Sequence, residues 1–353
     1  MSKTELLIAL ARCTFLSCAE KEFLAKKLDN LESLTVLSIE DICVMVSRSI
    51  RTRLWNPKEL PYLVERDMLS MKRYDIHFVS IMDAEYPPLL REIHDPPFAL
   101  FWRGTLPDPE RPLAAIVGTR APSGTGALAA ARLGREFADF GVPVISGLAR
   151  GIDAFAHRGN MEGLGRSVAV LACGVDQIYP RSNARLASRI IGEGGCVLAE
   201  YAPGEGPLKF RFPERNRIIS GLARAVLIVE APEKSGALIT ADFALEQGRD
   251  LFIYSGTFDS TRNAGCRRLF SEGAPMAHCA RDILAFWRWP FLDRNAAIGE
   301  MSVDCDAQSI PNTNTRVKPF GSLRTPAAVG RQLALEFGKE LDLMGKSRSV
   351  EEN

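Results

Sequence analysis

The chain has 353 residues, 46% of them hydrophobic and 25% charged, with a net charge of +1. That length supports a sizeable core and leaves room for two or three domains. The near-zero balance excludes a uniformly basic, polyanion-coating surface, so any nucleic-acid function has to rest on a local cluster of bases. Eight cysteines are scattered without a C-x-x-C. The closest pairs, Cys13/Cys18 and Cys266/Cys279, lack histidines at zinc spacing, so free thiols in a reducing compartment are expected, with no metal site. The N-terminal "MSKTELLIALARCTFLSCAEKEFL" breaks its apolar run with acids and lysines, unlike a signal peptide, and no stretch approaches bilayer-spanning length. A soluble, cytoplasmic protein with no membrane partner is expected.

Residues 1–75 read as a small helical domain: Leu6, Leu7, Leu10, then Phe23, Leu24, Leu28, then Leu31, Leu34 recur at spacings of three and four. Glycine is absent before Gly104, as suits short helices with few tight turns. Residues 76–110 include "YPPLLREIHDPPFALFWRG" with its two Pro-Pro pairs, and an extended connector packing on the next domain is expected there. Over 111–290 the pattern changes. The runs "LAAIVG", "VPVIS", "SVAVLA", "CVLAE", "AVLIVE" and "LFIY" are apolar throughout rather than alternating, and helical stretches such as Gly126–Phe140, Asn183–Gly192 and Ala237–Gly248 separate them. Strands buried on both faces and joined by helices define an α/β fold, a Rossmann-like doubly wound and mainly parallel sheet. Residues 291–353 are polar and aperiodic apart from a weak amphipathic stretch, Ala327–Leu343, and are expected to be largely a disordered linker.

Ligands of such sheets bind beyond the carboxyl ends of the strands, so the residues after each apolar run are the candidates. The first run ends in "GTRAPSGTG". Gly118 permits a tight turn, Thr119 and Arg120 follow, and Ser123 after Pro122 is a good N-cap; a helix N-terminus and a guanidinium both suit a phosphate. Gly124-Thr-Gly126-x-x-Ala129 matches G-x-G-x-x-A, but the glycines come late and position 141, where a ribose-binding acid belongs, is glycine. A dinucleotide site is therefore not expected. The second run ends in "SGLARGIDAFAH", where Ser146, Gly147, Arg150 and Gly151 form another small-residue loop at a helix mouth. Asp153 there suits the helix dipole, and His157 reads as a helix-face histidine with no nucleophile to serve. After the fifth run, "APEKSGALITADFALEQG" places Ser235 and Gly236 at a third helix start with Thr240 one turn in.

The missing basic cluster lies in "LKFRFPERNRIISGLAR": Lys209, Arg211, Arg215, Arg217 and Arg224 against Glu214 alone, with Phe210 and Phe212 between them. Interleaved cations and rings are what a single-stranded nucleic-acid track uses, cations for phosphates and rings for unstacked bases; the plainer alternative is two core phenylalanines and a solvated arginine face. Three phosphate-type loops and this segment on one rim point to an extended polyanion.

In this order, "GTRAPSGTG", "SGLARGIDAFAH", "LKFRFPERNRIISG" and "SGALITADFALEQGR" resemble the DNA-processing protein A family (DprA, also called Smf), over about residues 80–280. The resemblance implies a single-stranded DNA-binding protein of natural transformation and recombination that protects incoming strands, loads RecA recombinase, works as a homodimer and catalyses no reaction, with no cofactor. It also implies an N-terminal helical domain resembling a sterile alpha motif. Carried over, the family's glycine-serine/threonine-arginine motif falls on Gly118-Thr119-Arg120. Its basic position falls on Lys209, with Phe212, Arg215, Asn216 and Arg217 after it. Three departures stand out: Thr125 replaces a frequent aromatic, Gly265-Cys266-Arg267 replaces glycine-threonine-asparagine, and residues 291–353 lack a winged-helix pattern. The competing class is a nucleoside-monophosphate phosphoribohydrolase on a related fold. Ser235–Phe243 supplies Gly236 and Thr240 for that chemistry but no glutamate in register, which leaves Glu200 or Glu246 as its acid.

Overall fold

The computed structural model describes residues 3–52 and 54–288. The chain begins with α1 (Lys3–Arg12), α2 (Cys18–Lys27), α3 (Leu31–Thr35), α4 (Ile39–Met45) and α5 (Leu60–Tyr74). Ser17, Asn30 and Ser38 each open a helix with a capping box, which satisfies the first-turn N–H groups of these short segments. α5 stops where Asp75 takes the left-handed conformation, φ 52°. Leu6, Ile8, Leu10, Leu24 and Leu34 are fully buried and belong to one hydrophobic cluster with Val79, Leu100, Ile218 and Val226. The helical segment is thus one side of a shared core. Arg12 ties it further, donating to Asp67 of α5 and, across 2.9 Å, to Glu205 beyond it in the chain.

The segment expected to be a connector instead contributes to the sheet. It contains β1 (His77–Ser80), a single-turn α6 (Pro88–Arg91) and β2 (Ala99–Gly104), with β1 antiparallel to β2. The prolines explain the difference from expectation. Pro88 occupies the first helical position, where the missing N–H costs nothing, and Pro96 and Pro97 stop short of the apolar "FALFW", which is left free to pair.

The remaining elements alternate: β3 (Ala114–Val117), α7 (Gly124–Asp139), β4 (Val144–Ser146), α8 (Ile152–Met161), β5 (Val168–Leu171), α9 (Ala184–Gly192), β6 (Cys196–Ala199), α10 (Arg211–Leu222), β7 (Ala225–Ile228), α11 (Gly236–Glu246), β8 (Asp250–Tyr254), α12 (Ala264–Ser271), β9 (Met276–Ala277) and α13 (Ala280–Phe286). Among the described residues nine strands make one sheet, in the order β1-β2-β6-β5-β4-β3-β7-β8-β9. β2 joins β6 antiparallel, and every pairing from β6 to β9 is parallel. The fold is the expected Rossmann-like one. Alternate residues of β3 feed opposite layers: Ala114 and Ile116 pack with Leu133 and Phe137 of α7, whereas Ala115 and Val117 join Ile218 of α10 and Leu238 of α11. This two-sided burial is why the strands read as unbroken apolar runs. The expectations for residues 291–353 lie outside the described residues.

Candidate functional site

Strand order sets the location. From β3 the chain adds β4, β5 and β6 on one side, then crosses through α10 to place β7 on the other side of β3. The loops after β3 and β7 therefore leave in opposite directions, and a crevice opens between them at the strand carboxyl ends. A cleft of about 430 Å³ sits there. Of the sequence-predicted residues, Gly118, Thr119, Arg120, Phe212, Arg215, Asn216, Ser235, Gly236 and Thr240 line it.

The loop after β3 is pinned at both ends. Thr119 N–H donates to the Glu230 carbonyl at 2.7 Å, and Ile152 N–H donates to the Thr119 carbonyl at 3.2 Å. Arg120 is thereby carried into solvent, its guanidinium 5.4 Å from the centroid of the Phe212 ring. Phe212 lies in turn 5.5 Å from the Tyr179 ring, tilted by 60°. A cation and two rings therefore follow one another from the cleft outward, Arg120 and Phe212 on its lining and Tyr179 beyond it, a surface suited to flat π-systems beside anions.

The α7 N-terminus is not the anion seat its sequence predicts. Ser123 Oγ does accept from Gly126 N–H at 3.0 Å, as an N-cap. However, the fully buried Glu230 has its carboxylate there, accepting from Ser123 N–H at 3.2 Å to either oxygen and from Ser123 Oγ at 2.6 Å. A Cβ at Gly126 would collide with that carboxylate, which is why glycine stands at this position. Ser123 is thus a cap held by an internal acid rather than a phosphate contact. The open terminus is that of α11: Ser235 Oγ accepts from Ala237 N–H at 3.3 Å, a Cβ at Gly236 would meet nothing, and the exposed Lys234 stands beside them on the cleft.

The loop after β4 serves mainly to hold shape. Ser146 is buried and its Oγ donates to the Ile116 carbonyl at 2.7 Å, and Gly147 packs against the Arg215 guanidinium, so neither presents a group to a ligand. Asp153 accepts from Gly147 and Ala149 N–H at 3.1 and 3.3 Å. Gly151 has φ +80°, and a side chain there would also press on the Arg120 carbonyl. Arg150 alone of this loop reaches the surface with a charge.

Two arginines of α10 also need correction. Arg215 is buried and donates to the carbonyls of Gly147 and Val170, fastening the ends of β4 and β5 to the helix. Burial pulls its guanidinium down to about 10, an effect opposed by Asp153, so it stays charged at neutral pH. Arg217 faces away from the cleft and grips Glu200 at 2.8 Å, with Asp95 at 3.3 Å. Both are internal ties, because a guanidinium buried in a protein needs its acceptors there. Asn216 stays on the cleft and donates to the Gly236 carbonyl at 3.3 Å. Lys209 is exposed just ahead of α10 and does not line the cleft with Arg120.

Sequence reasoning missed Tyr179, Glu230 and Lys234. Glu230 carried one signal, an acid closing the apolar run "AVLIVE"; Tyr179 and Lys234 sit in aperiodic loops and carried none. Of the departures noted above, Thr125 is exposed in the first turn of α7, and Arg267 fastens a loop by donating to the Phe258 and Ser260 carbonyls at 3.2 and 2.7 Å. His157 is fully buried, with Nδ1 2.8 Å from Ser167 Oγ, and burial drops its pKa to about 3. It is neutral in the fold at any ordinary pH. Its folded pKa lies below the unfolded value, so the unfolded chain binds the extra proton and the stability held above pH 6.5 falls as pH drops toward 3. His157 therefore contributes a slope of up to about 1.4 kcal/mol per pH unit below pH 6, and His157→Gln should remove it in paired denaturant titrations at pH 7 and pH 5. Equal losses in both proteins would exclude that role.

The fold and cleft define a doubly wound α/β protein with a basic and aromatic cleft at its switch point, whose first-helix phosphate seat is filled by its own glutamate. Residues 77–288 match the family model described as DNA recombination-mediator protein A. This chain belongs to that family. It is 44% identical over 206 residues to the DNA processing protein DprA of Streptococcus pneumoniae, covering 58% of this chain and 72% of that protein. Protein Smf of Borreliella burgdorferi is 32% identical over 304 residues, 86% of this chain and 95% of its own. The X-ray structure of the Streptococcus pneumoniae protein superposes with a TM-score of 0.63 at 34% identity, covering 78% of this chain and 95% of that one. DNA processing protein A of Helicobacter pylori, whose structure is described for its single-stranded DNA binding mode, gives 0.54 at 26% identity, covering 61% and 96%. Among the described residues no helix is long and apolar enough to cross a membrane.

Proposed function

We propose that this chain binds single-stranded DNA across the switch-point cleft, as a mediator of recombination and DNA uptake acting in the cytoplasm, and that it binds without catalysing a reaction. The row of Arg120, Phe212 and Tyr179 beside the open α11 terminus carries this reading: the rings accept unstacked bases, while Arg120, Lys234 and the N–H groups at Gly236 accept phosphates. The Helicobacter pylori relative supports it through its described single-stranded DNA binding mode. Against the phosphoribohydrolase alternative, Glu200 is engaged by Arg217 and neither it nor Glu246 lines the cleft. Loading of RecA recombinase and action as a homodimer rest on the family resemblance alone and form part of the proposal.

The test is an anisotropy titration of labelled oligo-dT across a salt series. Binding should weaken as salt rises, and Arg120→Ala should shallow the slope of log K against log salt by roughly 0.7, one phosphate contact. Absence of binding at low salt, or an unchanged slope in Arg120→Ala, would sink the reading. Release of a free base from a nucleoside monophosphate, lost on Glu200→Gln, would favour the enzyme instead.

A further inference from the structure

The function proposed for the cleft gives the N-terminal helices no part, yet one of their side chains reaches the two segments that carry its rings. Phe212 stands in the first turn of α10, at the end of the chain after β6, and Tyr179 lies in the loop after β5. These segments are fastened to each other through backbone groups. Gly174 N–H donates to the Glu205 carbonyl at 2.8 Å, and Gly204 N–H donates to the Asp176 carboxylate at 2.9 and 3.0 Å. They also touch at Gly174, where an added Cβ would stand 2.7 Å from the Ala202 carbonyl oxygen. Tyr179 and Phe212 therefore rest on one doubled loop rather than on two free ones.

Arg12, the last residue of α1, holds that doubled loop to the helices. Its side chain is 8% exposed, and its guanidinium is shared between the two sides. A fork reaches Asp67 of α5 at 2.5 and 2.6 Å, and further bonds go to Glu205 at 2.9 Å and to the Pro203 carbonyl at 3.1 Å. Glu205 passes the hold on. Its second oxygen accepts from Arg211 at 2.8 Å. Arg211 also donates to the Gly206 carbonyl at 2.8 Å and lies 4.3 Å from the centroid of the Tyr201 ring. Charge-assisted bonds of this kind fix geometry as well as supplying energy. A chain of them, Asp67–Arg12–Glu205–Arg211, thus runs from α5 to the residue before Phe212.

We propose that Arg12 and Glu205 are positioning residues for the cleft, through which the helical segment sets the placement of Phe212 and Tyr179 and so the strength of base stacking. This coupling rests on the DNA reading for its consequence at the cleft, while the ties themselves are independent of it.

The experiment compares the full-length parent with two variants that cut the chain from opposite ends. Glu205→Ala leaves Arg12 paired with Asp67, and the double variant Arg12→Met/Asp67→Leu removes the arginine without stranding a buried acid. Asp67→Asn is the control, because Arg12 keeps Glu205 there. Amide hydrogen exchange over residues 173–179 and 204–208 should be about 5-fold faster in both cut variants and parent-like in Asp67→Asn. Unchanged exchange over residues 114–139 shows that all three are folded. Labelled oligo-dT should bind the cut variants about 5-fold more weakly, the low end for one stacked base, with the parent's slope of log K against log salt. On a Phe212→Ala background that loss should shrink. The sign matters for Glu205→Ala, since losing an acid near a polyanion tightens binding by charge alone. Parent-like exchange in the cut variants overturns the proposal. So does unchanged or tighter oligo-dT binding by Glu205→Ala, or an equal loss of affinity in Asp67→Asn. A parent chain that binds no oligo-dT sinks the DNA reading instead, and the exchange rates alone then decide the coupling.

Discussion

Replacing Arg215 by alanine is expected to destabilise the fold by about 3–5 kcal/mol, measured by urea unfolding at pH 7. The residue has the position of a ligand contact and the surroundings of a core tie. Its guanidinium satisfies the Gly147 and Val170 carbonyls, supports the glycine loop after β4, and offsets the buried Asp153, whose own pKa is raised by burial and lowered by Arg215. Truncation leaves two carbonyls and a carboxylate without their cation. Arg215→Lys should recover only part of the loss, because an ammonium cannot reproduce a planar fork that reaches two strand ends at once. If Arg215→Ala unfolds within 1 kcal/mol of the parent, the side chain is not the tie described, and its place on the cleft would then argue for ligand contact.

Phe212→Ala should weaken oligo-dT binding by about 1–3 kcal/mol, roughly 5- to 150-fold, while the folded baseline is unchanged. The ring is part-exposed and its neighbours are Arg120 and Tyr179, so truncation removes a stacking surface without opening the core. Tyr179→Ala should cost less alone, and the double variant should cost less than the sum, because each ring positions the other. Parent-like affinity in Phe212→Ala would assign the ring to packing, the plainer alternative that its sequence offers.

The sheet was readable because burial on both faces writes itself as continuous apolar runs, and each of the six runs became a strand. β1 and β2 were not read because two Pro-Pro pairs dominated their segment; their place in the sheet depends on pairing with β6, more than 90 residues later. At the site, motif position identified the right rim but could not tell a ligand contact from an internal tie. Arg120, Arg215 and Arg217 look alike in a sequence, and only the acceptors around each one separate them: among the described residues, none for Arg120 beyond a ring, backbone carbonyls for Arg215, and acids for Arg217. Tyr179 enters the site through the loop after β5, a contact between distant segments that no local period announces.

Under the proposed function, Glu230 would give the cleft a selectivity that its glycines alone would not provide. With a carboxylate lodged at the start of α7, a dinucleotide arriving at the cleft finds like charge where its pyrophosphate would need donors. Small phosphorylated metabolites, abundant in any cell, are left with isolated contacts at the rim. A polymer that engages several such contacts at once gains from their being joined, since each further phosphate is captured at high local concentration. If the cleft binds a strand as proposed, a single buried acid is what turns a nucleotide pocket into a surface that favours length over identity.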